Sequence, residues 1–224
     1  MKLNKIIAAC ALLGCAGAAL AQSAGSVIWS AGWTHVAPQN GTPHFETFEL
    51  RDKPAEGTAY RFGHGDTLGL NADYFMTDNV AAWFSVNVPP RLGIKTEAGK
   101  TGSVRFWNPA AGLKYFFLPA ETKLRPFAGI GISRIFSRNI NIKRAGIEDS
   151  PNGAHTISID SRWAGVFTVG ALYQLDERWV AGLDINYMPV RTDLDFKAAD
   201  GRLMYRQNTK VNPISTYVHL GYRF

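Results

Sequence analysis

The chain closes on nine residues that alternate without a break. Thr216, Val218, Leu220, Tyr222 and Phe224 fall on one side, and Tyr217, His219, Gly221 and Arg223 on the other. A period of two with one apolar and one polar face predicts a half-buried β-strand. The same ruler finds seven more strands. The first, roughly Val27–Val36, sets Val27, Trp29, Ala31 and Trp33 against Ser30, Gly32 and Thr34. The second, about Thr67–Phe75, sets Leu68, Leu70, Ala72 and Tyr74 against Thr67, Gly69, Asn71 and Asp73, and in the third Val80, Ala82, Phe84, Val86 and Val88 oppose Ala81, Trp83, Ser85 and Asn87. Ala111, Leu113, Tyr115 and Phe117 mark the fourth, opposed by Gly112, Lys114 and Phe116. The fifth, Arg125 to Phe136, is apolar or glycine on both faces, which leaves its parity open. In the sixth, roughly Ala164–Leu175, Phe167, Val169, Ala171, Tyr173 and Leu175 share a side, and in the seventh Trp179, Ala181, Leu183, Ile185 and Tyr187 oppose Val180, Gly182, Asp184, Asn186 and Met188. No segment carries a helical period, so the expected fold is all-β.

The connections alternate in length. Met76–Asn79, Leu118–Leu124 and Asp176–Arg178 are short, whereas the intervening stretches are long, polar and rich in Gly and Pro. Short turns at one end and long loops at the other are the plan of an eight-stranded antiparallel transmembrane β-barrel, the short turns lying on the periplasmic side. Aromatic residues gather beside those turns (Tyr74, Tyr115, Phe117, Tyr173, Trp179, Tyr222, Phe224), as an interfacial girdle requires. The last pair of strands reads as a hairpin with Asp200-Gly201 at its tip. A soluble eight-stranded ligand carrier is the nearest rival, and the two faces decide between them. The polar face carries charges of both signs (Asp73, Lys114, Asp184, Arg223 and His219), spaced by Gly69, Gly112, Gly182 and Gly221. An interior of eight strands is filled by side chains, and these charges fit there while the bulky uncharged face meets lipid.

Composition sharpens this. Met1–Ala21 has Lys2 and Lys5 before an apolar run from Ile6 to Leu20, and ends in the small-x-small site Ala19-Leu20-Ala21. That is the form of a cleaved signal peptide for Sec-type export, leaving 22–224 as a single barrel domain. Leu12-Leu13-Gly14-Cys15 also fits a lipoprotein cleavage box, although the Ala19–Ala21 site accounts for the rest of the run. Both cysteines, Cys10 and Cys15, fall inside this leader, so the mature chain has no disulfide or thiolate site. No later stretch reaches the roughly 18 apolar residues of a membrane helix, and a closed barrel is the other structure that satisfies its backbone in lipid. Mean hydropathy is near neutral, −0.10, because alternation averages the faces. The net charge of +6 contains no Lys/Arg run, which argues against a nucleic-acid partner. Arginines at the outer rim suit the phosphates of lipopolysaccharide instead.

Several pieces then carry a resemblance. Tyr74-Phe75 with Thr77-Asp78-Asn79-Val80-Ala81, Arg125-Pro126-Phe127-Ala128-Gly129-Ile130-Gly131, Asp160 to Trp163, Val211-Asn212-Pro213 and Gly221-Tyr222-Arg223-Phe224 together resemble the OmpW family of outer-membrane proteins. The match in order and spacing covers essentially the whole mature chain, and is loosest from Pro38 to Gly65. The resemblance implies integral residence in the outer membrane of a Gram-negative bacterium. It also implies a narrow, largely hydrophobic channel for small hydrophobic solutes including alkanes, lateral release into the membrane, and in some members a receptor role for bacteriocins.

The residues name candidates for that role. Trp83, with Leu92 and Ile94 in the following stretch and Trp163 atop the sixth strand, are expected to line an apolar entrance. Pro89, Pro90, Pro109, Pro189 and Pro213 stand near the outer strand ends, where the missing ladder donors would open a side gap. Leu220, Tyr222 and Phe224 form the C-terminal signal taken up by the barrel-assembly machinery. Neither a cofactor nor catalysis is expected. His35, His44, His64, His155 and His219 lack metal-ligand spacing, and His155, Ser158 and Asp160 lie in a polar stretch without an identifiable oxyanion hole. The alternative to transport is a structural or receptor barrel acting through its loops.

Overall fold

The computed structural model describes residues 23–41, 44–47, 61–96, 99–142, 156–159, 161–197, 201 and 203–224. The expected leader, His155, Asp160 and Asp200 lie outside these. The strands are β1 (Val27–Ala37), β2 (His44–Thr47), β3 (Arg61–Phe62), β4 (Gly65–Phe75), β5 (Val80–Asn87), β6 (Arg91–Thr96), β7 (Gly99–Trp107), β8 (Ala110–Phe116), β9 (Leu124–Ile142), β10 (Thr156–Ile159), β11 (Arg162–Gln174), β12 (Trp179–Tyr187), β13 (Arg191–Lys197), β14 (Leu203–Lys210) and β15 (Ile214–Arg223). Eight of them run β1-β4-β5-β8-β9-β11-β12-β15 and back to β1, every pairing antiparallel. The sheet therefore closes into the barrel that the alternation predicts, with no free edge.

One end holds the turns Met76–Asn79, Phe117–Lys123 and Leu175–Arg178 together with Ser23–Ser26 and the C-terminal residues, which are tied in by Gly25 N to Phe75 O at 2.8 Å and Arg223 N to Arg178 O at 2.8 Å. Asp176 shapes the last of these turns by accepting the N–H groups of Arg178 and Trp179, each at 2.7 Å. Those bonds hold its exposed carboxyl below the usual carboxylate range. At the other end the expected long loops are partly strands. β6–β7 and β13–β14 are hairpins standing on β5/β8 and β12/β15, while β2, β3, β10 and the upper half of β9 flank them. Their runs are short and charge-rich, and lack the long uncharged face of the membrane strands. The hairpin at Gly201 is observed as β13–β14, with Gly201 at φ 86°.

Large apolar side chains cover the outside: Leu68 is 65% exposed, Ile130 63%, Phe167 53% and Leu220 53%. Such a continuous surface on a closed barrel is a lipid face. Trp163 and Tyr173, both outward on β11, bound it above and below. The ten residue steps from one to the other span about 33 Å along the strand, or about 25 Å along the membrane normal at the usual tilt. In the fifth predicted strand, now β9, Arg125, Phe127, Gly129, Gly131 and Ser133 point in, and Ile130 and Ile132 point out.

Candidate functional site

The lumen is filled in layers from the periplasmic end. Arg125 lies lowest, fully buried, its guanidinium 4.9 Å from the Phe116 ring and 5.7 Å from the Phe75 ring, with Nε donating to Leu118 O at 3.0 Å. Above it Ile28, Phe75, Ala81, Phe116, Phe127, Leu172 and Val180 form an apolar core. Next comes an ionic layer. Lys114 Nζ lies 2.9 Å from Asp73 and 3.3 Å from Asp184, and His219 Nε2 is 3.0 Å from Asp184. Asn71 Nδ2 donates to Asp73 at 2.6 Å, and the Tyr217 ring stacks on His219 at 4.4 Å. Two glycines make room: a Cβ on Gly182 would fall 2.2 Å from the His219 ring, and one on Gly131 would fall 2.5 Å from Trp83. These layers close the axial route to the periplasm.

The cavity above the ionic layer offers about 80 Å³, lined among others by Thr34, Trp83, Asn87, Asn108, Ala110 and Met188. Trp83 sits on its floor against Ala110, Val166 and Met188, and of the four entrance candidates it alone lines this space. Leu92 and Ile94 lie higher, buried in the inner face of the extracellular sheet, where Leu92 is opposite Val104 and Ile94 opposite Phe62. Trp163 corrects the expectation. It is 64% exposed on the outer surface, because Ala164, Val166 and Thr168 take the inward positions of β11.

Among the described residues, the wall around this cavity is stitched at every seam but two. One is β11–β12, whose ladder stops at Phe167–Tyr187 and resumes at Ile159–Leu194 between β10 and β13, with the side-chain pair Arg162–Asp193 crossing the gap. Between β12 and β15, Met188 N donates to Pro213 O at 3.1 Å, and Val211 N to Val190 O at 2.9 Å. Pro189 and Pro213 thus kink the hairpin into β13–β14 without opening the β12–β15 seam, whereas Pro189 on its other side borders the point where the β11–β12 ladder stops. Asn40 carries the β1–β4 seam upward with its side-chain amide, donating to Phe62 O at 2.7 Å and accepting Phe62 N at 2.9 Å. Ser137 Oγ reaches Ile159 O at 2.9 Å between β9 and β10. The other gap is the β5–β8 seam, which no ion pair crosses among the described residues. Its ladder stops at Ser85–Ala110 and resumes at Arg91–Arg105. Val86–Pro90 and Phe106–Pro109, all described residues, make no backbone bonds to each other, although each side is anchored to its other neighbour. Val88 N bonds Leu68 O at 2.8 Å, and Pro109 O accepts Arg134 N at 3.1 Å and Ser133 Oγ at 3.0 Å. Pro89, Pro90 and Pro109 contribute no donors to this seam, and Asn87 and Asn108, on its two flanks, both line the cavity.

The terminal residues complete the barrel at its base. Leu220, Tyr222 and Phe224 face outward, Tyr222 packs on Trp179 at 5.2 Å, and Phe224 N bonds Val27 O at 2.9 Å. Phe224→Asp is expected to lower the yield of folded, heat-modifiable protein in outer-membrane fractions severalfold. Unchanged yield would show that the terminal aromatic is dispensable for assembly.

The sequence profile of the OmpW family matches residues 23–224. Outer membrane protein W of Escherichia coli (strain K12) is 27% identical over 218 residues, covering 93% of this chain and 92% of that protein. Outer membrane protein AlkL of Ectopseudomonas oleovorans is 29% identical over 138 residues, 59% of this chain and 55% of its own length. Among solved structures, the outer membrane protein OprG from Pseudomonas aeruginosa superposes with a TM-score of 0.80 at 18% identity, covering 91% of this chain and 98% of that one.

Proposed function

Since the chain belongs to the OmpW family of outer-membrane barrel proteins, we propose that it admits small hydrophobic molecules passively and releases them sideways into the membrane through the β5–β8 seam. The carrying observation is that the interrupted ladder abuts the cavity directly above the ionic layer. A solute entering past Leu92 and Ile94 meets Trp83, Ala110, Val166 and Met188 beside a stretch of wall with no backbone bond across it among the described residues. Met188 is unbranched and yields readily, whereas moving down the axis would require displacing paired charges. An apolar solute gains by leaving toward lipid. The alkane-uptake members that the family resemblance brings in support the solute class.

Bridging the seam tests this reading. With cysteines at Asn87 and Asn108 joined by a reducible bis-maleimide, uptake of a medium-chain alkane is expected to fall to the empty-vector level and to return on reduction. Each single-cysteine variant should transport normally. Undiminished uptake through the bridged barrel would rule out this exit. If the wild type, correctly inserted, transports no better than the empty vector, the barrel acts instead through its extracellular sheets.

A further inference from the structure

The extracellular sheet beside the open seam carries rows of cations, with no carboxylate on its own strands among the described residues. Arg91 on β6 lies opposite Arg105 on β7, which lies opposite Arg138 on β9. One step higher, Lys95 lies opposite Arg61 on one side and Lys100 on the other. β3, β6, β7 and β9 contain no Asp or Glu, and Glu97, in the connection after β6, lies outside the described residues. Like charges placed directly opposite repel, so such rows demand an anion from outside. Arg91 uses one donor on Ser103 Oγ at 2.9 Å, while Arg105 is exposed and has no carboxylate partner among the described residues. The contrast with the other half of the wall is sharp. There Arg162 and Arg206 are neutralised by Asp193 and Asp195.

Height identifies the anion. Trp107, Phe136 and Trp163 are exposed on the same outer surface and mark the upper interface. Arg105 stands two residues above Trp107, about 7 Å along the strand. Arg134 stands two residues below Phe136, with its guanidinium 5.6 Å from the Phe136 ring and 5.2 Å from that of Trp163. A shallow depression lined by Arg134, Ser161, Arg162 and Trp163 opens beside it. Cations bracketing the aromatic level meet the phosphates of lipid headgroups rather than a soluble polyanion, which would engage the top of the sheet alone.

We propose that the outer face of β6, β7 and β9 binds the phosphates of a phosphorylated glycolipid of the outer leaflet, with Arg91, Arg105 and Arg134 as anchors. Arg91 and Arg105 are the first pair above the interrupted ladder, so the bound lipid stands at the rim of the seam. Guanidinium–phosphate bonds are charge-assisted and bidentate, which suits arginine over lysine.

The test uses the folded mature protein in detergent, with bis-phosphorylated lipid A as the probe and no transported solute present, so it is independent of the uptake experiment. Wild type is expected to bind the phosphorylated lipid at least about tenfold more tightly than its dephosphorylated form, and the R91Q/R105Q/R134Q variant to lose about tenfold or more. The K123Q/R178Q variant, which removes cations at the opposite end, should bind like wild type. Heat-modified migration checks that each variant is folded. Equal binding of the dephosphorylated lipid, an unaffected R91Q/R105Q/R134Q variant, or an equal loss in K123Q/R178Q would overturn the site. Phosphate-independent lipid binding combined with tight capture of a sulfated oligosaccharide would assign the surface to a soluble glycan instead.

Discussion

Replacing Lys114 by Met is expected to destabilise the barrel by about 3–5 kcal/mol, the usual cost of removing one partner from a buried ionic network. Lys114 is 2% exposed, and its ammonium is the only cation within salt-bridge reach of Asp73 among the described residues. Without it, Asp73 keeps Asn71 Nδ2 and Asp184 keeps His219, but neither carboxylate, both buried, retains a full counter-charge. Methionine matches the stem of the lysine and fills the space against Phe127 and Trp83, so lost packing contributes little. Urea titration in lipid vesicles measures the loss. The companion variant K114M/D73N/D184N should recover most of it, because removing all three charges abolishes the need for compensation. A loss below about 1 kcal/mol in K114M would mean that the carboxylates are solvated and the ionic layer does not close the lumen.

Much of this layer was legible from alternation. Asp73, Lys114, Asp184 and His219 occupy inward positions in four separate strands, and closing the barrel in register brings them to one height: Gly182 pairs with His219, and Asp73 with Trp83, whose other neighbour is Gly112. Arg125 carries no such signal in the sequence. It opens a strand that is apolar or glycine on both faces, and only the cross-strand neighbours reveal that Gly129 and Gly131 are inward residues making space for Lys114 and Trp83. Trp163 is different, because the signal was present: it shares parity with Phe167 and Val169, which the alternation puts outside. The prolines divide for a reason no single sequence contains. Pro189 and Pro213 have a partner strand whose kink matches theirs, and Asn212, at φ 36°, turns its side chain onto Val190 N at 3.0 Å. Pro89, Pro90 and Pro109 lack such a bridge. The hairpin β6–β7 reads as a loop in the sequence because strands above the membrane need no continuous apolar face, whereas Asp200-Gly201 marks the tip of β13–β14.

The ionic layer and the open seam make physical sense as a pair. A barrel of eight strands has too little internal width for both a charge network and an open axial path, so any passage must leave the axis above the charges. The seam lies at that level. Its missing hydrogen bonds are tolerated because Val86, Asn87 and Val88 are fixed to β4, and Pro109 is fixed to β9. Opening there requires no strand to detach from its other neighbour.

Leu183→Arg is the test of which face meets lipid, with an expected cost of about 2–4 kcal/mol at mid-membrane. Leu183 is 47% exposed, central in β12, and flanked on the same face by Ala171 and Val218. Trp179 and Tyr187 lie four residues away on either side, about 13 Å along the strand, which is a long reach for a guanidinium seeking either interface. The comparison is Leu203→Arg, in β14 beside the Gly201 turn and beyond the upper girdle. There water solvates the new charge, and the change should stay within about 0.5 kcal/mol. Both are measured as shifts in urea midpoint in vesicles, with the slope compared to confirm that the same surface unfolds. Equal effects would mean that Leu183 faces a hydrated lumen, and the assignment of bulky residues to lipid and charges to the interior would have to be reversed.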